Sequence, residues 1–344
     1  MRNLTALFAG TALLSGFMIG TSFASAPNDF KLVTKIPLPT KAGHGDWVAF
    51  DPATHDIYVS LKDSGMAVID TKSNKVVHDL KDIAAPNTMT FDKDYIYETA
   101  AEGAGKGKVN QVVVIDKHDW KIVDRVATKG TSPDGTFIDA SKHRLFVVSD
   151  DNNWIEVYTT GAHPKRLATY DLKPAKPEAG PDVADLVNGV IYATDDSDVE
   201  TVNPQDGRIG IVADYHLKLG KTGGTKDMFW DPDHHAIWVA TTNHVLYVVD
   251  PKTLEILRPL PETAGADEAA YDPGLGLAYV FESGIPGFDV YSVKDEKYLT
   301  TVDVGVKGPT HSGTVDPINH DVYAYVGGDA SLYVYRPEVQ TVNK

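Results

Sequence analysis

The feature that most constrains the fold is a sequence unit that recurs along the whole chain. Its clearest copy runs from Met228 to Leu257, where three strand patterns alternate with two turns and no helical periodicity appears. In each copy one residue, here called the anchor, ends the first strand, and successive anchors lie roughly 45 residues apart. The anchors are Asp51, Asp92, Asp139, Val187 in a degenerate copy, Asp231, Asp272 and Asp316.

This spacing is typical of four-stranded propeller blades, so seven anchors predict an all-β chain, a seven-bladed β-propeller of antiparallel blades. The seventh copy ends before a convincing fourth strand, whereas a spare strand pattern, Phe30 to Leu38, precedes the first copy. We expect this N-terminal strand to close the ring by pairing with the last blade, because closure removes an exposed sheet edge. An aromatic residue recurs in every second strand and is expected to pack between neighbouring sheets: Tyr58, Tyr97, Phe146, Tyr192, Trp238, Tyr279 and Tyr323.

The N-terminus has the pattern of a secretory signal peptide. Arg2 precedes an apolar run from Leu4 to Gly20, and Ser22-Phe23-Ala24 offers a small-x-small cleavage site. The alternative is a membrane anchor, for which the run is short. We therefore predict a signal peptide over residues 1–24 and one propeller domain over 25–344. Its closing strand falls within 29–39 and its blades lie near 44–80, 85–126, 132–172, 180–217, 224–260, 265–304 and 309–344.

The composition limits which cellular compartments and which classes of partner are expected. The chain has no cysteine, which excludes disulfides, lipoprotein anchoring through cysteine and thiolate metal sites, and a periplasmic or secreted location is predicted. Its 32 basic and 48 acidic residues give a formal net charge of −16, a field that repels nucleic acid and anionic membranes. We expect a monomer whose partner is a small molecule or a protein segment, with no membrane-spanning segment after cleavage.

Two blades carry the sequence of a known repeat. Tyr58-Val59-Ser60 with Val68-Ile69-Asp70, and Trp238-Val239-Ala240-Thr241 with Val248-Val249-Asp250, resemble the YVTN-repeat family of β-propellers, and the resemblance covers nearly all of the mature chain. It implies the fold but no activity, because that family is defined by blade-building residues. The asparagine that often ends the YVTN strand is replaced in every copy here, for example by Thr241.

The candidate site lies where the chain enters each first strand, because these loops surround one mouth of a propeller channel. Polar residues recur five positions before the anchors, and Lys226 takes that position in the fifth copy. Adding their polar neighbours gives a predicted ligand-binding set: His44, Asp46, Asn87, Asp134, Asp182, Asp227, Asp267, Glu268 and His311.

Blades one and seven are neighbours in a closed ring, so His44, Asp46 and His311 are expected to lie together. Two imidazoles beside carboxylates suit a divalent metal ion, whereas carboxylates alone suit calcium or a cationic ligand. The plain alternative is a water-filled mouth that binds nothing. Two other functions stay open: a metal-assisted hydrolase or lyase, lactonase-like, that uses these residues with Glu268 and Glu282, and a protein-interaction scaffold.

Overall fold

The computed structural model describes residues 29–43, 45–172, 181–195, 198–215 and 224–338. The predicted signal peptide lies outside these ranges. Within them the chain forms seven four-stranded antiparallel sheets, and the first strand of each sheet contacts the first strand of the next around a closed ring. The predicted seven-bladed β-propeller is therefore confirmed. None of the helices in the described ranges is long and apolar enough to cross a membrane.

The first three blades follow the order of the chain. Blade one contains β2 (Gly45–Asp51), β3 (Asp56–Leu61), β4 (Gly65–Asp70) and β5 (Lys75–Leu80). Blade two contains β6 (Pro86–Phe91), β7 (Tyr95–Ala101), β8 (Asn110–Asp116) and β9 (Ile122–Ala127). Blade three contains β10 (Pro133–Asp139), β11 (Arg144–Ser149), β12 (Trp154–Thr159) and β13 (Arg166–Asp171), with a 3₁₀ turn at Asp150–Asn152.

The next three blades repeat this arrangement. Blade four contains β14 (Pro181–Val187), β15 (Val190–Asp195), β16 (Asp198–Val202) and β17 (Ile209–Asp214). Blade five contains β18 (Thr225–Asp231), β19 (Ala236–Thr241), β20 (Val245–Val249) and β21 (Ile256–Pro261). Blade six contains β22 (Ala266–Asp272), β23 (Leu277–Glu282), β24 (Gly287–Ser292) and β25 (Lys297–Asp303).

Blade seven closes the ring with both ends of the propeller. It contains β26 (Ser312–Asp316), β27 (Asp321–Val326) and β28 (Ser331–Pro337), with a 3₁₀ turn at Gly327–Asp329, and β1 (Phe30–Pro37) supplies the fourth strand. Strand β1 pairs antiparallel with β28 from Phe30 opposite Pro337 to Pro37 opposite Ser331. The predicted closing strand is confirmed, and the pairing covers an edge that would otherwise be exposed.

The core lies between the blades rather than within any one of them. The described residues form seven hydrophobic clusters, and each draws its members from two neighbouring blades. All seven recurring aromatics of the second strands are buried, as predicted. Tyr97 of blade two, for example, packs with Leu145 and Val147 of blade three. Removing a side chain of this size from a core costs about 3–5 kcal/mol.

The anchor aspartates fix the turn at the far end of each first strand from the mouth. Asp51 accepts a hydrogen bond from the backbone N–H of Ala53 at 2.9 Å, and Asp272 accepts one from Gly274 at 2.8 Å. These Asx turns explain why the residue type recurs. Four residues after the anchor the backbone is left-handed, with φ of 62° at His55 and 65° at His320. The repeated histidines therefore occupy turn positions.

Candidate ligand-binding site at the mouth of the central channel

The local geometry of the first strands directs the predicted residues into the mouth. In blades one to six the pairing between the first and second strands shifts register within the first few residues, as in a β-bulge. In blade one the shift falls between Gly45 and Val48, directly at Asp46. A bulge adds a residue to one strand and redirects its side chain, and bulges are common beside functional sites. In these six blades the bulge falls at the predicted polar position.

These side chains line one cavity of about 170 Å³. Asp46, Asp134, Asp267, Glu268 and His311 from the predicted set contribute to it, and so does Lys226. Its other lining residues are Trp47, Lys62, Thr88 and Val183. His44 and the side chain of Asp182 lie outside the described part of the chain. Residues from all seven blades therefore meet at this cavity, and five of the blades contribute charged side chains of both signs.

His311 joins three blades at the centre of this cavity. Its Nε2 lies 3.2 Å from Oδ1 of Asp46 in blade one, and its Nδ1 contacts Oδ2 of Asp267 in blade six. Burial alone lowers the pKa of His311, but the hydrogen bonds and charges of Asp267 and Asp46 outweigh it and raise the pKa to about 9. The imidazole is therefore held as a cation at neutral pH, with each ring N–H directed to a carboxylate.

Lys62 is a member of the site that the sequence did not reveal. Its Nζ lies 3.2 Å from Oδ1 of Asp46, so this carboxylate bridges Lys62 and His311. Lys62 directly follows β3, and the turns between second and third strands open on the same face as the loops that enter the first strands. Reading those turns together with the entering loops would have identified it. Half of the Lys62 side chain is exposed, which leaves its ammonium group accessible to a ligand.

Other polar side chains at the mouth pair with the backbone of a neighbouring first strand. Asn87 donates from Nδ2 to the carbonyl of Pro133 at 3.1 Å, and Thr194 donates to the carbonyl of Lys226 at 2.7 Å. Ser312 donates to the carbonyl of Asp46. The inner edge of a first strand has no further strand to pair with, so these bonds satisfy backbone groups that would otherwise be unpaired. Asn87 was predicted to bind a ligand, and this contact gives it a structural role.

Two predicted carboxyls lie deeper than the others and are almost fully buried. Asp227 accepts the N–H of Met228 at 2.7 Å and that of Ala269 at 2.8 Å, and burial followed by the charge of Asp185 raises its pKa to about 7. Glu268 accepts the N–H of Gly313 at 3.1 Å, and burial, then the charge of Asp267, raises its pKa well above the ordinary value. These two groups hold protons more strongly than surface carboxyls do.

The described side chains at the mouth are not arranged around a metal ion. Both ring nitrogens of His311 are directed to carboxylates, whereas a ligating histidine needs one nitrogen free to face the metal. Within the described ranges no group of three or more histidine and carboxylate side chains is arranged to hold a metal ion. His44, the second imidazole of the predicted set, lies outside those ranges. The predicted set of His44, Asp46 and His311 stays a prediction.

Comparison with models of known protein families finds none that matches this chain, and no curated protein matches it. The fold is therefore established by the structure alone. The chemistry of the mouth is the basis on which a function can be assigned to this seven-bladed β-propeller.

Proposed function

We propose that the protein is an exported, monomeric β-propeller, similar to YVTN-repeat proteins, that binds a small polar ligand at the mouth of its channel. The apolar run and cleavage pattern over residues 1–24 support export to the periplasm or beyond. The acidic net charge supports a small molecule or protein segment over nucleic acid as the partner. The propeller domain then extends over residues 25–344 with the blade limits predicted above.

The observation that carries the proposal is the charged network of Lys62, Asp46, His311 and Asp267 in one concave site. Four side chains from the first, sixth and seventh blades converge there, beside a cavity of about 170 Å³. Polar groups that converge on a concave surface are the usual mark of a small-molecule site. Because Lys62 and His311 are cationic and Asp46 and Asp267 anionic, the network suits a ligand that carries both hydrogen-bond donors and acceptors.

A thermal-shift screen of small polar metabolites, followed by calorimetric titration of each hit, tests the proposal. A ligand present at a hundred times its dissociation constant adds about 2.7 kcal/mol to the free energy of unfolding. The variants Lys62→Ala and Asp46→Asn should each weaken the hit at least about tenfold, the effect of losing about 1.4 kcal/mol of binding energy.

The matched control is Lys121→Ala, which removes a lysine whose side chain is 74% exposed and lies in blade two near its partner Asp119. This variant should bind like the wild type. A ligand whose affinity is the same in all three variants would place the binding site elsewhere and contradict the proposal for the mouth.

Catalysis by the same mouth stays a prediction. A histidine with a raised pKa and both ring nitrogens directed to carboxylates is a poor general base at neutral pH, which is an argument against a simple hydrolase centred on His311. A screen with lactone and ester substrates tests this activity. Turnover that is lost in both His311→Gln and Glu268→Gln would favour the enzyme over the binding protein.

A further inference from the structure

A second cavity, of about 320 Å³, lies in the channel directly below the mouth. Its walls come from β2, β22 and β26, with Asp227 of β18 beside them. Trp47 and Glu268 line both this channel cavity and the mouth cavity, so the two adjoin. A ligand held at the mouth can therefore extend a small group into the channel.

The strands that line the channel carry negative but no positive side chains below the mouth. Within the seven first strands Lys226, at the mouth, is the only lysine or arginine, and the strands contain no histidine. Asp185 of β14, Asp227 of β18 and Glu268 of β22 lie deeper along the same strands. Burial raises the pKa of Asp227, and Asp185 lies close enough for its charge to raise that pKa further.

Glu268 is the group that points most directly to a ligand. Its side chain is 6% exposed, and its Oε2 accepts one hydrogen bond from the backbone of Gly313. The residue also lines both cavities. A buried carboxylate is costly unless donors or a cation reach it. The channel cavity is where such a group can approach.

Aromatic residues supply the remaining chemistry of the channel cavity. Trp47, Phe50 and Tyr271 line it, and Trp47 lies beside Glu268 where the two cavities adjoin. Aromatic faces attract organic cations, and quaternary ammonium groups are commonly recognised by aromatic rings together with carboxylates. Two of the cations above the channel are already paired with carboxylates, because His311 is bound between Asp46 and Asp267, and Lys62 is paired with Asp46.

We infer that the channel below the mouth binds a small organic cation, an alkylated ammonium group that favours the ionised forms of Glu268 and Asp227 and whose methyl groups contact Trp47. This inference rests on the proposed function, since the ligand would reach the channel through the mouth, and it names the class of ligand. The cavity has room for one such head group, and a polar remainder would lie among the charged residues above.

Calorimetric titration of the full mature chain with choline tests the inference, and 3,3-dimethylbutan-1-ol serves as the neutral probe of the same shape. We expect choline to bind and the neutral probe to bind at least about tenfold more weakly, because only choline carries the charge. Glu268→Gln, which keeps an acceptor for Gly313, should weaken choline at least about tenfold, and Trp47→Leu should also weaken it. Asp119→Asn removes an exposed carboxylate far from the channel and should leave the affinity unchanged.

Three results would overturn the inference: no heat of binding with choline up to about 10 mM, equal affinity for the neutral probe, or unchanged choline binding in Glu268→Gln. Circular dichroism and the unfolding midpoint of each variant show whether it is folded. If choline fails while the metabolite screen yields a ligand that depends on Lys62, only the inference about the channel is wrong. If neither binds, the proposed function fails as well.

Discussion

Asp46 and Asp51 lie at opposite ends of strand β2, and these two aspartates have different roles. Asp51 is 1% exposed and binds within its own blade and the next, accepting the Ala53 N–H, the Tyr58 hydroxyl at 2.9 Å and the Lys117 ammonium. Asp46 faces a cavity and meets the half-exposed Lys62 and His311. One end of the strand fixes the fold, and the other presents charge to solvent.

The other blades repeat this contrast with different partners. At the turn end, Asp231 accepts the N–H of Asp233 at 3.0 Å and Asp316 accepts that of Ile318 at 2.9 Å. At the mouth end, Asp267 contacts a histidine from the following blade. Backbone partners at the turn end are close in sequence, and Asp51 and Asp272 add side-chain partners from the next blade, Lys117 and His320. At the mouth end the contact between Asp46 and His311 joins the first blade to the last and therefore depends on ring closure. Substitutions at the turn end should therefore reduce stability, and substitutions at the mouth should reduce binding.

The largest expected effect is that of Asp51→Ala. It leaves the Lys117 ammonium, 2% exposed, without its counter-ion between blades one and two. Breaking a buried ion pair from one side costs about 3–5 kcal/mol, and chemical denaturation measures the loss. The double variant Asp51→Asn with Lys117→Met should recover much of it, because no unpaired charge remains. A loss below about 1 kcal/mol in Asp51→Ala would show that the turn end contributes no more to stability than the mouth end does.

A smaller loss of unfolding free energy is expected when the substituted anchor has no buried lysine as its partner. Asp139 accepts hydrogen bonds from the Ser141 hydroxyl at 2.6 Å and the Lys142 N–H at 3.2 Å, and its ion-pair partner Lys142 is 41% exposed. Asp139→Ala should therefore cost about 1–2 kcal/mol, the cost of the turn bonds alone. The same denaturation experiment measures it. A cost equal to that of Asp51→Ala would mean that the turn, and not the buried ion pair, dominates at both anchors.

A substitution at the mouth should weaken ligand binding more than it reduces stability. Asp46→Asn removes a charge whose partners are 51% and 39% exposed, so the free energy of unfolding at neutral pH should fall by about 1 kcal/mol or less. The same variant should weaken a ligand bound at the mouth at least about tenfold. Denaturation and calorimetry on one protein sample give both values. A large stability loss with unchanged binding would assign Asp46 to ring closure instead.

The contrast between the two ends also explains what the sequence could predict. The anchors and the buried aromatics recur because each blade needs the same turn and the same packing, so lining up the copies was enough to identify the fold. The repeat also predicted the polar positions at the mouth, but it did not predict which groups these side chains contact. Asn87 and Asp134 occupy equivalent positions, yet Asn87 binds the backbone at Pro133 while Asp134 lines the cavity. That difference depends on bulges and on contacts between blades, which a repeat pattern does not record.

The smallest effect concerns the charge of His311 and its dependence on pH. The folded protein holds its pKa at about 9, above the ordinary 6.5 of the unfolded chain. Its contribution to stability is therefore fully present below about pH 6.5 and is lost as the pH rises through about 9. Because 39% of the side chain is exposed, solvent screening limits this contribution to about 1 kcal/mol or less.

The difference in unfolding free energy between the wild type and His311→Gln isolates this contribution. Other groups that titrate in the same range, Asp227 and Glu282, are present in both proteins and largely cancel. The difference should be largest near pH 6 and shrink between pH 8 and pH 10, as measured by denaturation at each pH. A difference that grows with pH would mean that the histidine is neutral in the folded protein. The mouth would then lack the bridging cation that distinguishes it from the turn end.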